Sequence, residues 1–199
     1  SMTNIRNVAL SIAPDKVIST IISDLSEFTY GQPINLTGTF TLADKQPIAA
    51  LPIHVEVKSA NDVNWREITT LSTGVDGQVK LPIYLGQNQN IRLRSDGTWE
   101  RLEGISNEQV IKVKPQIKIV APTSVALNGK ANISGTVNPG KQVPVILERF
   151  DGKWSQVATA VTDINGAYTF SYAVGISPFV NLRVSSGGSQ SAAVTVVLR

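Results

Sequence analysis

Asn132-Ile133-Ser134-Gly135-Thr136 has a counterpart earlier in the same chain, Asn35-Leu36-Thr37-Gly38-Thr39, and this pairing decides the fold. Each pentad follows a glycine, Gly129 or Gly31. Downstream, the order of features is kept. Val143-Pro144-Val145-Ile146-Leu147-Glu148 answers Leu51-Pro52-Ile53-His54-Val55-Glu56, and Trp154 answers Trp65. Twelve residues after each tryptophan stands a glycine, Gly166 or Gly77, preceded by Asn165 or Asp76. Leu182-Arg183-Val184 then answers Ile91-Arg92-Leu93, and the segment around Val194 to Leu198 answers the one around Val110 to Val113. Ordered matches at a shared spacing are the mark of an internal repeat. The copies run over 17–116 and 117–199.

The apolar period in both copies is two. Tyr168, Phe170 and Tyr172 alternate with Ala167, Thr169 and Ser171, and Val143, Val145 and Leu147 share a parity. The first copy keeps it with Leu36 and Phe40, with Leu51, Ile53 and Val55, and with Val79, Leu81 and Ile83. Such alternation over short runs means half-buried strands. Matched parity matters because a one-residue slip would turn every side chain to the wrong face. Asp76-Gly77, Asp96-Gly97, Asp151-Gly152 and Asn165-Gly166 are turn dipeptides. In the second copy, strands are expected near 117–120, 131–137, 143–150, 154–161, 167–173, 181–185 and 192–198. Val17 to Phe28 carries Ile18, Ile21, Ile22 and Leu25 at helical spacing, but its alignment with Ile117 to Leu127 favours an entry strand and loop. The predicted class is all-β: two tandem immunoglobulin-like antiparallel sandwiches of about seven strands each. Trp65 and Trp154 are expected to anchor the cores, packed against their neighbouring hairpins.

Two insertions make the first copy longer: Leu42 to Ala50, and a stretch around Asp96-Gly97-Thr98-Trp99. Residues 1–16 are read separately. Ser1-Met2 reads as the remnant of a cleaved tag. Residues 5–13 resemble the end of the first copy, and are either the last strand of a preceding repeat or the first strand of this one. The junction Lys112-Val113-Lys114-Pro115-Gln116-Ile117-Lys118 has neither Gly nor Ser, so a stiff, elongated pair is expected.

Composition narrows the function classes. The absence of cysteine excludes disulfides, thiolate metal sites and cysteine nucleophiles. No run of 18 apolar residues is present, so no membrane insertion is expected. Residues 1–116 hold 11 Lys+Arg against 12 Asp+Glu, and residues 117–199 hold 7 against 3. The basic residues are scattered, unlike the clustered Lys/Arg of a nucleic-acid binder.

The run Gly152-Lys153-Trp154, followed by Thr162-Asp163-Ile164-Asn165-Gly166-Ala167-Tyr168-Thr169-Phe170, resembles the bacterial immunoglobulin-like repeats, which often carry a G-x-W segment and then T-D-x-x-G-x-Y-x-F. The first copy keeps Trp65, Thr73, Asp76 and Gly77 and replaces the aromatic pair by Val79 and Leu81. The resemblance implies tandem modules of cell-surface adhesins, stalks or secreted hydrolases. It transfers no catalytic residue.

Little in the chain points to chemistry. The single histidine, His54, alternates with Ile53 and Val55, which puts it on an outer face beside Glu56 and Lys58, and one such residue builds no Ser/His/Asp set. Asp163-Ile164-Asn165-Gly166 is a fragment of a calcium loop without the later acidic ligand, and reads better as a hairpin turn. Lys16 and Asn107 are the residues the first copy could offer to a Lys–Asn isopeptide bond. No catalytic, cofactor or metal residue is assigned. Two binding candidates remain, Trp99 and Arg101, because an aromatic on a loop insertion can anchor a partner, against the alternative that Trp99 folds back over its own hairpin. The expected function is a non-catalytic structural or adhesive segment at the bacterial cell surface or outside the cell. Its partners would be neighbouring repeats, with cell-wall glycan or a host surface protein next. The alternatives are a binding module and an accessory region of a secreted hydrolase. A monomer is expected.

Overall fold

The computed structural model describes residues 13–199, and all regular structure in them is β. The reading of residues 5–13 falls almost wholly outside the described residues. The first copy contributes β1 (Val17–Ser23), β2 (Glu27–Thr29), β3 (Ile34–Leu42), β4 (Pro52–Lys58), β5 (Arg66–Ser72), β6 (Gln78–Ile83), β7 (Gln89–Ser95), β8 (Gly104–Ile105) and β9 (Gln109–Lys114). They form a three-stranded sheet, β1-β3-β6, and a second sheet, β2-β9-β7-β4-β5, with β8 paired to β7. The second copy contributes β10 (Gln116–Val120), β11 (Ser124–Val125), β12 (Lys130–Asn138), β13 (Pro144–Asp151), β14 (Lys153–Val161), β15 (Ala167–Ala173), β16 (Phe179–Ser186), β17 (Ser189–Gln190) and β18 (Val194–Leu198). Their sheets are β10-β12-β15 and β11-β18-β16-β13-β14, with β17 on β16. Strand for strand the two orders are the same. The chain holds two immunoglobulin-like β-sandwiches.

Each copy has nine strands where seven were expected. The additional ones, β2 and β8 with their counterparts β11 and β17, are two or three residues long, too short to show a period. The helical spacing of Val17 to Phe28 resolves into β1 and β2. After pairing antiparallel with β3, the chain crosses to the other sheet, where β2 runs parallel to β9. The same crossing puts β11 parallel to β18.

Inward residues have the expected parity. Ile53, Val55 and Val57 of β4 and Val145 and Leu147 of β13 are buried. In the second sandwich one apolar cluster joins Ala131, Ile133, Val137, Tyr168 and Phe170 of the small sheet to Leu147, Val180, Leu182, Val184 and Val196 of the large one. Each such aliphatic side chain contributes about 1.5–3 kcal/mol by leaving water.

The glycine of the opening pentads has a packing cause. A Cβ on Gly135 would lie 1.9 Å from the Lys118 carbonyl oxygen and 2.4 Å from Tyr168 Oη, where the phenol donates to that carbonyl at 2.7 Å. A Cβ on Gly38 would lie 2.1 Å from Leu93 Cδ1 and 2.8 Å from Val79 Cγ2. The position is therefore filled by neighbouring side chains in both copies, by the tyrosine of the paired strand in the second and, in the first, by aliphatic groups of β6 and of β7 in the other sheet. Gly77 and Gly166, the glycines after each tryptophan, have φ of 70° and 79°, a region open to glycine. Their carbonyls accept the amides of Phe40 and Val137. Gly152 also has a positive φ; Gly97 does not.

Buried hydroxyls repeat as well. Thr73 Oγ1 accepts the Leu51 amide and donates to the Ile48 carbonyl, and Thr162 Oγ1 accepts the Val143 amide and donates to the Gly140 carbonyl. Ser106 and Ser191 likewise accept the amides of Leu93 and Val184. Each satisfies backbone groups that would be costly to bury unpaired.

One expectation is corrected. Trp65 and Trp154 do not anchor the cores. Both are only half-buried, and each lies beneath a guanidinium, Arg92 or Arg183, at 4.3 Å from the ring centroid. The flat cation covers the ring as a core neighbour would, and adds a charge–quadrupole attraction.

Candidate functional site

The first sandwich presents a connected polar face on β5, β4 and β7. Alternation turns His54 and Glu56 of β4 away from the core, opposite Arg94 and Arg92 of β7 and Thr70 and Glu67 of β5. Arg92 Nε donates to Glu56 Oε2 at 2.7 Å and Arg94 Nε to Glu56 Oε1 at 2.9 Å. Arg94 also bonds Asp96 and lies 3.7 Å from Glu103. His54 bridges two carboxylates, Glu67 through Nδ1 at 2.9 Å and Asp96 through Nε2 at 3.1 Å. Carboxylates only accept, so each of these bonds needs a proton on the ring nitrogen that makes it.

The charges set one another's ionisation. Burial pushes the Glu56 carboxyl up, but hydrogen bonds from Arg94 and Arg92 outweigh it and hold the group below the usual carboxylate range. Glu67 is held low chiefly by the Thr70 hydroxyl and then by His54, and Asp96 by Arg94 and then by His54. The second sandwich has only the core of this arrangement, Trp154, Arg183 and Glu148, with Arg183 Nε donating to Glu148 at 2.6 Å. A Trp–Arg–Glu set is therefore common to both copies, and the extension through Arg94, Asp96, His54 and Glu67 belongs to the first.

That extension ends at the insertion. Between β7 and β8 the first copy places eight residues, 96–103, where the second turns through Gly187 and Gly188 alone. Arg94 holds the base of the loop through Asp96 and Glu103. At the tip, the Thr98 amide donates to the Arg101 carbonyl, and Thr98 Oγ1 accepts the amides of Glu100 and Arg101. The flank is tied to Asp15, whose amide donates to the Glu100 carbonyl and whose carbonyl accepts the Leu102 amide. The turn so braced carries Trp99 with 80% of its surface exposed. The indole does not fold over its own hairpin. Arg101 is half-buried in the same turn, which its backbone closes.

His54 is on the outer face as expected, but clamped between acids and not free. Asp163 Oδ1 accepts the amides of Asn165 and Ala167, which makes it the closing group of a turn. Asn107 Oδ1 accepts the Ile21 amide, and its Nδ2 donates to the Ile21 carbonyl, while Lys16 is exposed. Its amide thus caps the backbone of β1. Among the described residues no group of three or more His, Asp or Glu could hold a metal ion, and no helix is long and apolar enough to cross a membrane.

No family model matches the chain, and no curated protein matches it. Among solved structures, a tetra-tandem repeat from the extending region of a large adhesion protein superposes with a TM-score of 0.40 and 15% identity, over 93% of this chain and 49% of that one. Invasin, described as a bacterial integrin-binding protein, gives 0.45 and 14%, over 92% of this chain and 39% of that one. The Yersinia pseudotuberculosis adhesin InvE gives 0.36 and 14%, over 91% and 58%. This chain spans about half of the first of these. All three scores lie below 0.5, so the fold assignment rests on strand order and pairing.

Proposed function

We propose that this chain is a non-catalytic structural and adhesive segment of a bacterial cell-surface or secreted protein, in which the first repeat carries the contact site. The observation that carries the reading is the braced Trp99 turn. The two sandwiches share strand order, buried hydroxyls and the Trp–Arg–Glu set, and the first departs from the second by an insertion that presents a large aromatic to solvent. An exposed indole costs solubility and contributes nothing to a core, while a pre-ordered aromatic loses little entropy when it docks. Aromatic anchors of this kind dominate binding energy where they are used.

The ligand class the site fits is cell-wall glycan or a host surface protein. An open indole face stacks on a sugar ring or fills a protein pocket equally well. The test is a glycan array and a panel of host surface proteins, probed with wild type and Trp99→Ala. Wild type is expected to retain at least one ligand that Trp99→Ala binds at least tenfold more weakly, with unchanged circular dichroism. Equal binding by both proteins, or none by either, would remove Trp99 from the site.

A further inference from the structure

The two copies serve as controls for each other, and they treat their sheet edges differently. An edge strand offers unpaired amides and carbonyls to any passing strand, and proteins blunt such edges with charge, bulges or covering groups; β5 and β14 carry the same one-residue bulge, so charge is what distinguishes them. In the first sandwich the edge strands β1 and β5 are both guarded. On β1, Asn107 bonds the amide and the carbonyl of Ile21, and Gln109 Nε2 donates to the same carbonyl. On β5, Arg66 and Glu67 stand at the start of the strand, and Glu67 is pinned by His54 and Thr70.

The counterpart of β5 is β14, which pairs with β13 on one side only. Its nine residues, Lys153–Val161, carry no charge after Lys153. Pairing opposite the shared glutamate shows the substitution directly: Glu56 faces Glu67 in the first copy, and Glu148 faces Gln156 in the second. Apolar groups flank the strand. Val161 is 64% exposed, Phe150 43% and Val157, at the bulge, 38%. The first copy has Ser72 and Lys58 in place of Val161 and Phe150, and keeps an equally exposed apolar residue, Ile68, at the bulge position of Val157. The same fold therefore tolerates polar residues at the positions of Val161 and Phe150, so the sandwich itself does not demand apolar groups there. Beside β14 an open groove is lined by Ala160, Val161, Asp163, Ala167, Tyr168 and Thr169.

We propose that β14 is an open pairing edge, and that its occupant is β14 of a second copy of this chain, antiparallel about a two-fold axis. Charge complementarity selects this occupant. An antiparallel pair centred on Val157 brings Lys153 of each copy to the far end of its partner's strand, where Asp163 is exposed just beyond Val161. The two ion pairs arise together, as two-fold symmetry requires. Asp151 stands at the same end but on β13, one strand further from the edge. Between the ends the strand opposes no like charges. This departs from the monomer expected on sequence grounds.

Area sets the strength. Nine residues at roughly 3.4 Å each give an edge about 30 Å long, which buries on the order of 600 Å² in total, about half of a stable interface. The dimer is therefore weak and reversible, with a Kd on the order of 0.1–1 mM.

Analytical ultracentrifugation of the whole chain from about 10 μM to about 1 mM tests it, with circular dichroism melts as the fold control. Wild type should shift reversibly from monomer to dimer. The double variant Val157→Lys/Val161→Lys sets two lysines against each other at the axis, and a further lysine against the partner's Lys153 at each end. It should weaken association at least tenfold. Val161→Glu, facing that same Lys153, should associate as well as wild type or better. A monomer at every concentration overturns the proposal and leaves the edge to an unlike strand. So does a dimer that the double lysine variant forms equally well, or one that the glutamate weakens as much as the lysines do.

Discussion

Gly135→Ala is expected to destabilise the second sandwich by about 3 kcal/mol or more, the largest effect of any single methyl group added to the chain. The magnitude follows from what the methyl would meet. Overpacking of a core costs about 1–3 kcal/mol when side chains can give way. Here the nearest atom is the Lys118 carbonyl oxygen at 1.9 Å, which belongs to the neighbouring strand and moves only with it. The displaced carbonyl also loses the Tyr168 hydroxyl, a further ~1 kcal/mol. Tyr168→Phe alone should cost only that last amount, and Gly135→Ala in the Tyr168→Phe background should still be strongly destabilised. Guanidinium unfolding followed by tryptophan fluorescence measures all three. An alanine variant within about 1 kcal/mol of wild type would show that the packing around the pentad is looser than described.

Glu56→Ala comes next, at about 2–3 kcal/mol. Breaking a fully buried ion pair costs about 3–5 kcal/mol because a charge is left uncompensated. Arg92 and Arg94 retain about a fifth of their side-chain exposure, 20% and 22%, so water takes up part of the loss. Glu148→Ala should cost less, since one arginine depends on that carboxylate where two depend on Glu56. The pH dependence has a definite sign. The Glu56 carboxyl is held below its unfolded value, so its contribution is complete above about pH 5 and is lost as the pH falls through the lowered folded value. Thermal melts between pH 7 and pH 3 should show wild type losing stability in acid, with Glu56→Gln starting lower and falling less. Parallel slopes for the two proteins would remove Glu56 as the linked group.

Much of the fold was legible because two independent signals agreed. The period of two named the inward faces, and the second copy repeated their parity. The short strands β2, β8, β11 and β17 were not legible, because two or three residues carry no period. The tryptophans were misplaced for a different reason. A large aromatic within a β pattern reads as core, and its capping by Arg92 or Arg183 comes from another strand of the same sheet, far away in sequence. A signal was nonetheless present. Glu56, Trp65 and Arg92 repeat as Glu148, Trp154 and Arg183, and a charge that recurs at matched positions of two copies has a partner.

The Trp99 insertion was visible as a length difference between the copies. Its exposure was not, since that depends on Asp15, which is distant in sequence, and on how Arg94 and Glu103 close the base of the loop. The open edge of β14 needed strand order. Only once β5 and β14 are known to be the outermost strands does the exchange of Glu67 for Gln156 acquire a meaning.

One nine-strand sandwich occurs twice in the chain, with the loop at 96–103 as the main departure. Amide hydrogen exchange, resolved by peptide along the whole chain, tests it most directly. Slow exchange is expected in the inner strands β3, β4 and β7 and, at the matching positions, in β12, β13 and β16, because these are paired on both sides. The segments outside the strands should exchange faster. Matched blocks of protection would uphold the account. Protection continuous from 89 through 105, or a second copy that exchanges like an unfolded chain while the first is protected, would contradict it.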